Sequence, residues 1–186
     1  MAKTVLVPIA DGTEEIEAVC IIDILRRAGV KVIVASVMDS LQVTASRGVK
    51  LVADALIGDC LGEQYDAIAL PGGLPGAEHL RDSEDLIALL HEQQAKNKIY
   101  AAICAAPAVV LNHHGLIGEK QATAYPGYAE SFSNQDAVEK RVVVDANCIS
   151  SQGPGTAIEF ALTLVEMLKG KAQAANVAGA LLVRHS

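Results

Sequence analysis

One cysteine, Cys104, sits where a strand-like run gives way to a helix-like one, in the segment Ile-Tyr-Ala-Ala-Ile-Cys-Ala-Ala-Pro-Ala-Val-Val-Leu at residues 99–111. Residues 99–103 have the make-up of a buried parallel strand. The small residues that follow carry Pro107 in a first helical turn, where its missing N–H is harmless. This arrangement predicts a sulfur crowning a helix N-terminus, where free backbone N–H groups and the helix dipole favour a thiolate. Ala102, Ala105 and Ala106 are small enough for a tight turn, giving a nucleophile elbow with sulfur in place of a hydroxyl. The plainer alternative is a small buried hydrophobe, the state of most free cysteines. A position at the carboxyl end of a central strand, where α/β sheets place their ligands, favours the reactive reading.

A second candidate is Glu17. It heads the helical row Cys20, Ile21, Ile24 and Ala28, so at 100° per residue it shares an otherwise apolar face. Burial there would keep the carboxyl protonated and able to donate to a thiolate. The helix alone equally allows a charge at the rim that profits from the N-terminal dipole. The third feature is the loop Pro71-Gly72-Gly73-Leu74-Pro75-Gly76. Its glycines let backbone approach a ligand, and its N–H groups are suited to an oxyanion. It lacks the phosphate-cradling G-x-x-x-x-G-K-[ST] pattern.

The elements that must position these residues follow in chain order. Residues 4–10 form a strand, and Thr13 or Asp11 is expected to cap a helix that opens with Glu14, Glu15 and Glu17 and stops at Gly29. On that helix Asp23 is spaced to pair with Arg27. Residues 30–37 are a second strand, completing a right-handed parallel unit. Residues 42–45 and 51–53 suggest a hairpin around Ser46-Arg47-Gly48, and residues 65–70 a buried strand. Residues 83–96 read as an amphipathic surface helix. His113 and His114 before Gly115 suit a helix C-terminus better than a catalytic base. Residues 122–124 lead as a strand end to Tyr125-Pro126, and residues 142–144 and 148–151 are the last strands. Thr156 with Glu159 reads as a capping box on a helix that runs to Lys169 and is closed by Gly170, with a final helix over residues 172–183.

Composition bounds the rest. A chain of 186 residues and 19.4 kDa suits one domain, taken as residues 1–186. The longest apolar run falls well short of the ~20 residues that span a bilayer. The N-terminus lacks the order of a secretion signal, so a cytoplasmic location is expected. Four cysteines without a C-x-x-C pair, and no histidine pair at ligand spacing, point away from disulfides and from a metal site. Cys20, Cys60 and Cys148 share no signature and default to packing. A net charge of −7, a pI near 5.2 and 3% aromatic residues disfavour nucleic acid and leave small molecules or protein surfaces as partners.

With these pieces placed, the chain resembles the PfpI superfamily, in its parkinsonism-associated deglycase branch. The matching segments are Gly-Thr-Glu-Glu-Ile-Glu-Ala at 12–18, Leu-Arg-Arg-Ala-Gly at 25–29, Ser-Arg-Gly-Val at 46–49, Leu-Pro-Gly-Gly at 70–73, Ala-Ala-Ile-Cys-Ala-Ala-Pro at 101–107 and Gly-Pro-Gly-Thr at 153–156. The resemblance implies a flavodoxin-like α/β three-layer sandwich with a mostly parallel central sheet, and a homodimer. It implies Cys104 as nucleophile, Glu17 as its protonated partner, and Gly72, Gly73 and Ala105 at the substrate oxygen, with Arg47, Asp23 and Pro154 as structural support. It implies no cofactor and no metal. The activities implied are conversion of methylglyoxal or glyoxal to hydroxy acids, repair of early glycation adducts, redox sensing and chaperone-like protection.

Three departures qualify it. The peptidase branch has histidine directly after the nucleophile, where this chain has Ala105, which disfavours proteolysis. Many relatives of the animal type have histidine before proline where this chain has Tyr125, leaving that residue as a possible third catalytic or substrate-binding group. An extra cysteine of animal members is Ala45 here. Two functions follow as expectations: a cysteine-dependent enzyme acting on α-oxoaldehydes or glycated proteins, or a non-enzymatic redox sensor or chaperone that uses oxidation of the same sulfur.

Overall fold

The computed structural model describes residues 3–183. Its centre is a seven-stranded sheet in the order β5-β2-β1-β6-β7-β9-β8. The strands are β1 (Thr4–Ile9), β2 (Lys31–Ser36), β5 (Ala55–Leu56), β6 (Ala67–Leu70), β7 (Ile99–Ile103), β8 (Val142–Asp145) and β9 (Cys148–Ser151). Every pairing is parallel except that of the edge strand β8 with β9. A separate antiparallel hairpin joins β3 (Gln42–Thr44) to β4 (Lys50–Val52).

Alternation along the strands divides the core in two. Val5, Val7, Ile9, Ala69, Ala101 and Ile103 face α1 (Glu15–Arg27), α4 (Ala157–Lys169) and α5 (Lys171–Ala180). Leu6, Ile68, Leu70, Tyr100 and Ala102 face α2 (Gly76–Asp82), α3 (Glu84–Ala95) and a wide helical turn at Pro107–Asn112. Side chains of opposite parity thus enter opposite layers, which is how a sheet covered on both faces must read. This is the expected α/β three-layer sandwich with a mostly parallel sheet. Among the described residues no helix is long and apolar enough to cross a membrane.

The differences from expectation are local. Neither Thr13 nor Asp11 caps α1. Thr13 Oγ1 accepts the Ala10 N–H at 2.9 Å and Asp11 Oδ1 the Thr44 N–H at 2.7 Å, and the cap is the Glu14 carboxylate, which accepts the Glu17 N–H at 2.8 Å. The Thr156–Glu159 capping box does not form. Thr156 Oγ1 accepts the Gly153 N–H at 3.1 Å and shares a 2.6 Å hydrogen bond with Ser151 Oγ, while Glu159 pairs with Arg141 at 2.8 Å. Residues 122–124 pair with no strand among the described residues, α2 follows the glycine loop over a stretch given no element from sequence, and the last helix ends at Ala180.

Candidate active site

β7 ends at Ile103, and Cys104 follows with a φ of +67°, a left-handed conformation that is strained for a residue with a Cβ. Two long-range hydrogen bonds hold it: the Cys104 N–H donates to Ser151 O at 3.0 Å, and Cys104 O accepts the Tyr125 N–H at 2.8 Å. The helix follows at once: Ala105 O accepts the Val109 N–H at 2.9 Å, Pro107 lies in the first turn, and the N–H groups that reach the sulfur come from Gly73 and Ala105.

The glycine loop is fitted to this turn. A Cβ at Gly72 would lie 2.6 Å from the Cys104 Cβ and 3.0 Å from Glu17 Oε2, so only hydrogen leaves room for both. Gly73, at φ +89°, is wedged so closely that a Cβ would fall 2.4 Å from Gly12 O. Here one expectation is corrected: the Gly72 N–H is not offered to a substrate, because it donates to Glu17 Oε2 at 2.8 Å. The donors around the sulfur are therefore Gly73 and Ala105.

Glu17 is fully buried. Its place on the inner face of α1 follows from the row it shares with Ile21, Ile24 and Ala28, all buried with it. Burial pushes its carboxyl up to about 7, and the nearby Glu14 charge adds to this against the pull of the Gly72 N–H and the Cys104 thiol. Its Oε1 receives no hydrogen bond, an unfavourable state for an anion and a natural one for a protonated oxygen that donates. The neighbour placed to accept is the Cys104 sulfur.

The thiol and the carboxyl share one environment. Beside an ionised Glu17, Cys104 is pushed up to about 12, first by burial and then by that charge, so an acidic thiol is not obtained while the carboxyl is charged. The pair behaves as a coupled acid in which one negative charge is accommodated and a second is resisted. With the proton on Glu17, the repulsion is gone, and the sulfur keeps the two backbone N–H groups.

Cys104 opens on a cleft of about 400 Å³. Its lining is mixed: Glu14, Ser46 and Arg47 are polar or charged, while Leu74, Tyr125, Tyr128 and Pro154 bring apolar surface. Of the three residues given a supporting role, Arg47 and Pro154 line this cleft. Asp23 does not: it forms a 2.6 Å ion pair with Arg27 on α1, both side chains about half exposed. His113 and His114 are also elsewhere, with His114 Nε2 2.9 Å from Arg81 O.

Several residues escaped the sequence reading: Glu14, Ser46, Leu74 and Tyr128, which line the cleft, and Glu15. Glu15 anchors the polar lining, accepting Ser46 Oγ–H and the Arg47 N–H, each at 2.7 Å; against the effect of burial, these bonds hold its carboxyl below the usual range. Its burial was foreshadowed only by its place among three acids at a helix start. Tyr128 carries no periodic signal at all. Among the described residues no group of three or more His, Cys, Asp or Glu side chains is placed to hold a metal ion.

The fold recurs in known proteins. A model of the DJ-1/PfpI family matches residues 3–167. Protein DJ-1 homolog B of Arabidopsis thaliana is 51% identical over 179 residues, which cover 96% of this chain and 41% of that protein. The glutathione-independent glyoxalase DJR-1.2 of Caenorhabditis elegans is 34% identical over 167 residues, covering 89% of this chain and 88% of that protein. Oxidized Toxoplasma gondii DJ-1 superimposes with a TM-score of 0.97 at 52% identity, covering 99% of this chain and 100% of that one. The chain spans less than half the length of the plant relatives it matches.

Proposed function

This chain belongs to the DJ-1/PfpI family, and from that premise we propose that it is a cofactor-free, cysteine-dependent glyoxalase or protein deglycase. Its substrates are methylglyoxal, glyoxal or their early adducts on proteins, taken without glutathione. The observation that carries this reading is the Cys104 sulfur held at the Gly73 and Ala105 N–H groups with the buried Glu17 carboxyl beside it. The naming of the nematode relative as a glutathione-independent glyoxalase supports it.

The Cys104 thiolate adds to the aldehyde carbon. A C–S bond forms, and the carbonyl π pair becomes an oxyanion, stabilised by the Gly73 and Ala105 N–H groups and then protonated by Glu17. Glu17, now a carboxylate, removes the hydrogen of that carbon as a proton to give an enediolate and returns it to the adjacent carbon, while the hydroxyl proton of the first carbon passes to the former ketone oxygen, leaving a thioester carbonyl. The aldehyde carbon is oxidised and its neighbour reduced, so electrons balance within the substrate. Water then cleaves the resulting thioester to the 2-hydroxy acid and regenerates the thiol. Tyr125 borders the reacting carbon as a substrate contact or third proton carrier. Arg47 and Pro154 line the cleft, and the chain forms a homodimer.

The test is incubation of the purified protein with methylglyoxal and no glutathione. Lactate should form, and Cys104→Ser should abolish it; a wild-type protein that makes none refutes the enzyme reading. A second reading, redox sensing through the same sulfur, draws on the partial exposure of Cys104 and on the oxidized state of the Toxoplasma relative. It predicts peroxide-dependent oxidation of Cys104 without dicarbonyl turnover.

A further inference from the structure

Four tyrosines divide into two kinds. Tyr65 and Tyr100 are buried, and their hydroxyls donate to Cys60 O at 3.2 Å and Leu116 O at 2.8 Å. Tyr125 and Tyr128 instead line the Cys104 cleft, and neither hydroxyl bonds to protein among the described residues. Their rings form an edge-to-face pair, with centroids 6.5 Å apart and planes at 70°. Tyr125 is 48% exposed, and Leu74, which also lines the cleft, 46%. Apolar surface left open next to a reactive sulfur has a use if a ligand covers it.

This surface is fixed to the nucleophile. The Tyr125 N–H donates to Cys104 O at 2.8 Å, and the Tyr128 N–H donates to Tyr125 O at 3.0 Å, so ring positions and sulfur belong to one backbone unit. Gly153 completes the seat: a Cβ there would come within 3.3 Å of Tyr125 Cδ2. The cleft, about 400 Å³, far exceeds what a three-carbon aldehyde fills.

Resting on the glyoxalase reading, we infer that this cleft selects α-oxoaldehydes bearing a flat aromatic substituent, and that Tyr128 is a specificity-determining residue. With the aldehyde carbon at the sulfur and its oxygen at Gly73 and Ala105, the ketone oxygen turns to the Ser46–Arg47 side. The substituent then lies against Tyr125, Tyr128 and Pro154.

Two arms test this. In the first, initial-rate kcat/KM is measured for phenylglyoxal and methylglyoxal in wild type, Tyr128→Ala and Tyr128→Phe, with intact mass confirming unmodified arginines. Phenylglyoxal should be preferred in wild type, and an aromatic contact worth about 2- to 10-fold should be lost from that ratio in Tyr128→Ala and kept in Tyr128→Phe. In the second, mandelate and lactate protect Cys104 from iodoacetamide. Mandelate should protect at lower concentration, and lose that advantage in Tyr128→Ala alone. Equal protection by both acids, or ratios that Tyr128→Ala leaves untouched, overturns the inference. Absence of turnover with mandelate protection intact overturns the glyoxalase reading and leaves a cleft that recognises aromatic ligands.

Discussion

Replacing Glu17 by glutamine keeps the shape of the side chain and removes its titration. The carboxamide oxygen can accept the Gly72 N–H that Oε2 now takes at 2.8 Å, and the amide N–H₂ faces the sulfur. In the wild type, burial raises the carboxyl from 4.5 to about 7. The folded protein therefore holds a proton that the unfolded chain releases, and stability falls as pH rises between these two values. At about 1.36 kcal/mol per unit, the wild type should lose about 3 kcal/mol relative to Glu17→Gln on going from below pH 4.5 to above pH 7. Urea unfolding of both proteins across that range measures it directly, and dicarbonyl turnover in Glu17→Gln should fall by roughly 10²-fold or more. Parallel stability curves would falsify the assignment: Glu17 would then be ionised throughout, and no proton would be held beside Cys104.

Cys104 should be the fast-reacting thiol of the four at neutral pH, read by iodoacetamide labelling and peptide mapping; faster labelling of the half-buried Cys20 would move the reactive site elsewhere. Gly72→Ala should destabilise the fold by about 1–3 kcal/mol and abolish turnover, since its Cβ would lie 2.6 Å from that of Cys104; a near-wild-type melting temperature with full activity would refute the close fit. Ile16 and Val19, 54% and 47% exposed on α1, should be covered in a homodimer, so light scattering should give twice the 19.4 kDa chain mass and Val19→Asp should shift it to one; a monomeric wild type at micromolar concentration rejects this face.

The sequence by itself determined whatever depends on local period and local sterics. The 100° row from Glu17 to Ala28 predicted which face of α1 goes inside: Glu17, Ile21, Ile24 and Ala28 are buried on it, and Cys20 is half-buried at its edge. An apolar run followed by a cysteine, small residues and Pro107 predicted a strand, a tight turn and a helix. The turn appears as a positive φ at Cys104. What tertiary structure alone decided is where polar groups find partners when several lie within reach. Thr13, a good cap by type, turns to the Ala10 N–H because the chain bends back at that point, leaving the cap to Glu14. Thr156 is drawn to Ser151 and Glu159 to Arg141, partners whose nearness follows from β8 and β9 meeting the start of α4. The same convergence gives the Gly72 N–H to Glu17 across 55 positions and Glu15 to the Ser46–Arg47 loop across about 30. Such bonds depend on distances set by packing of the whole sheet, which no residue spacing encodes.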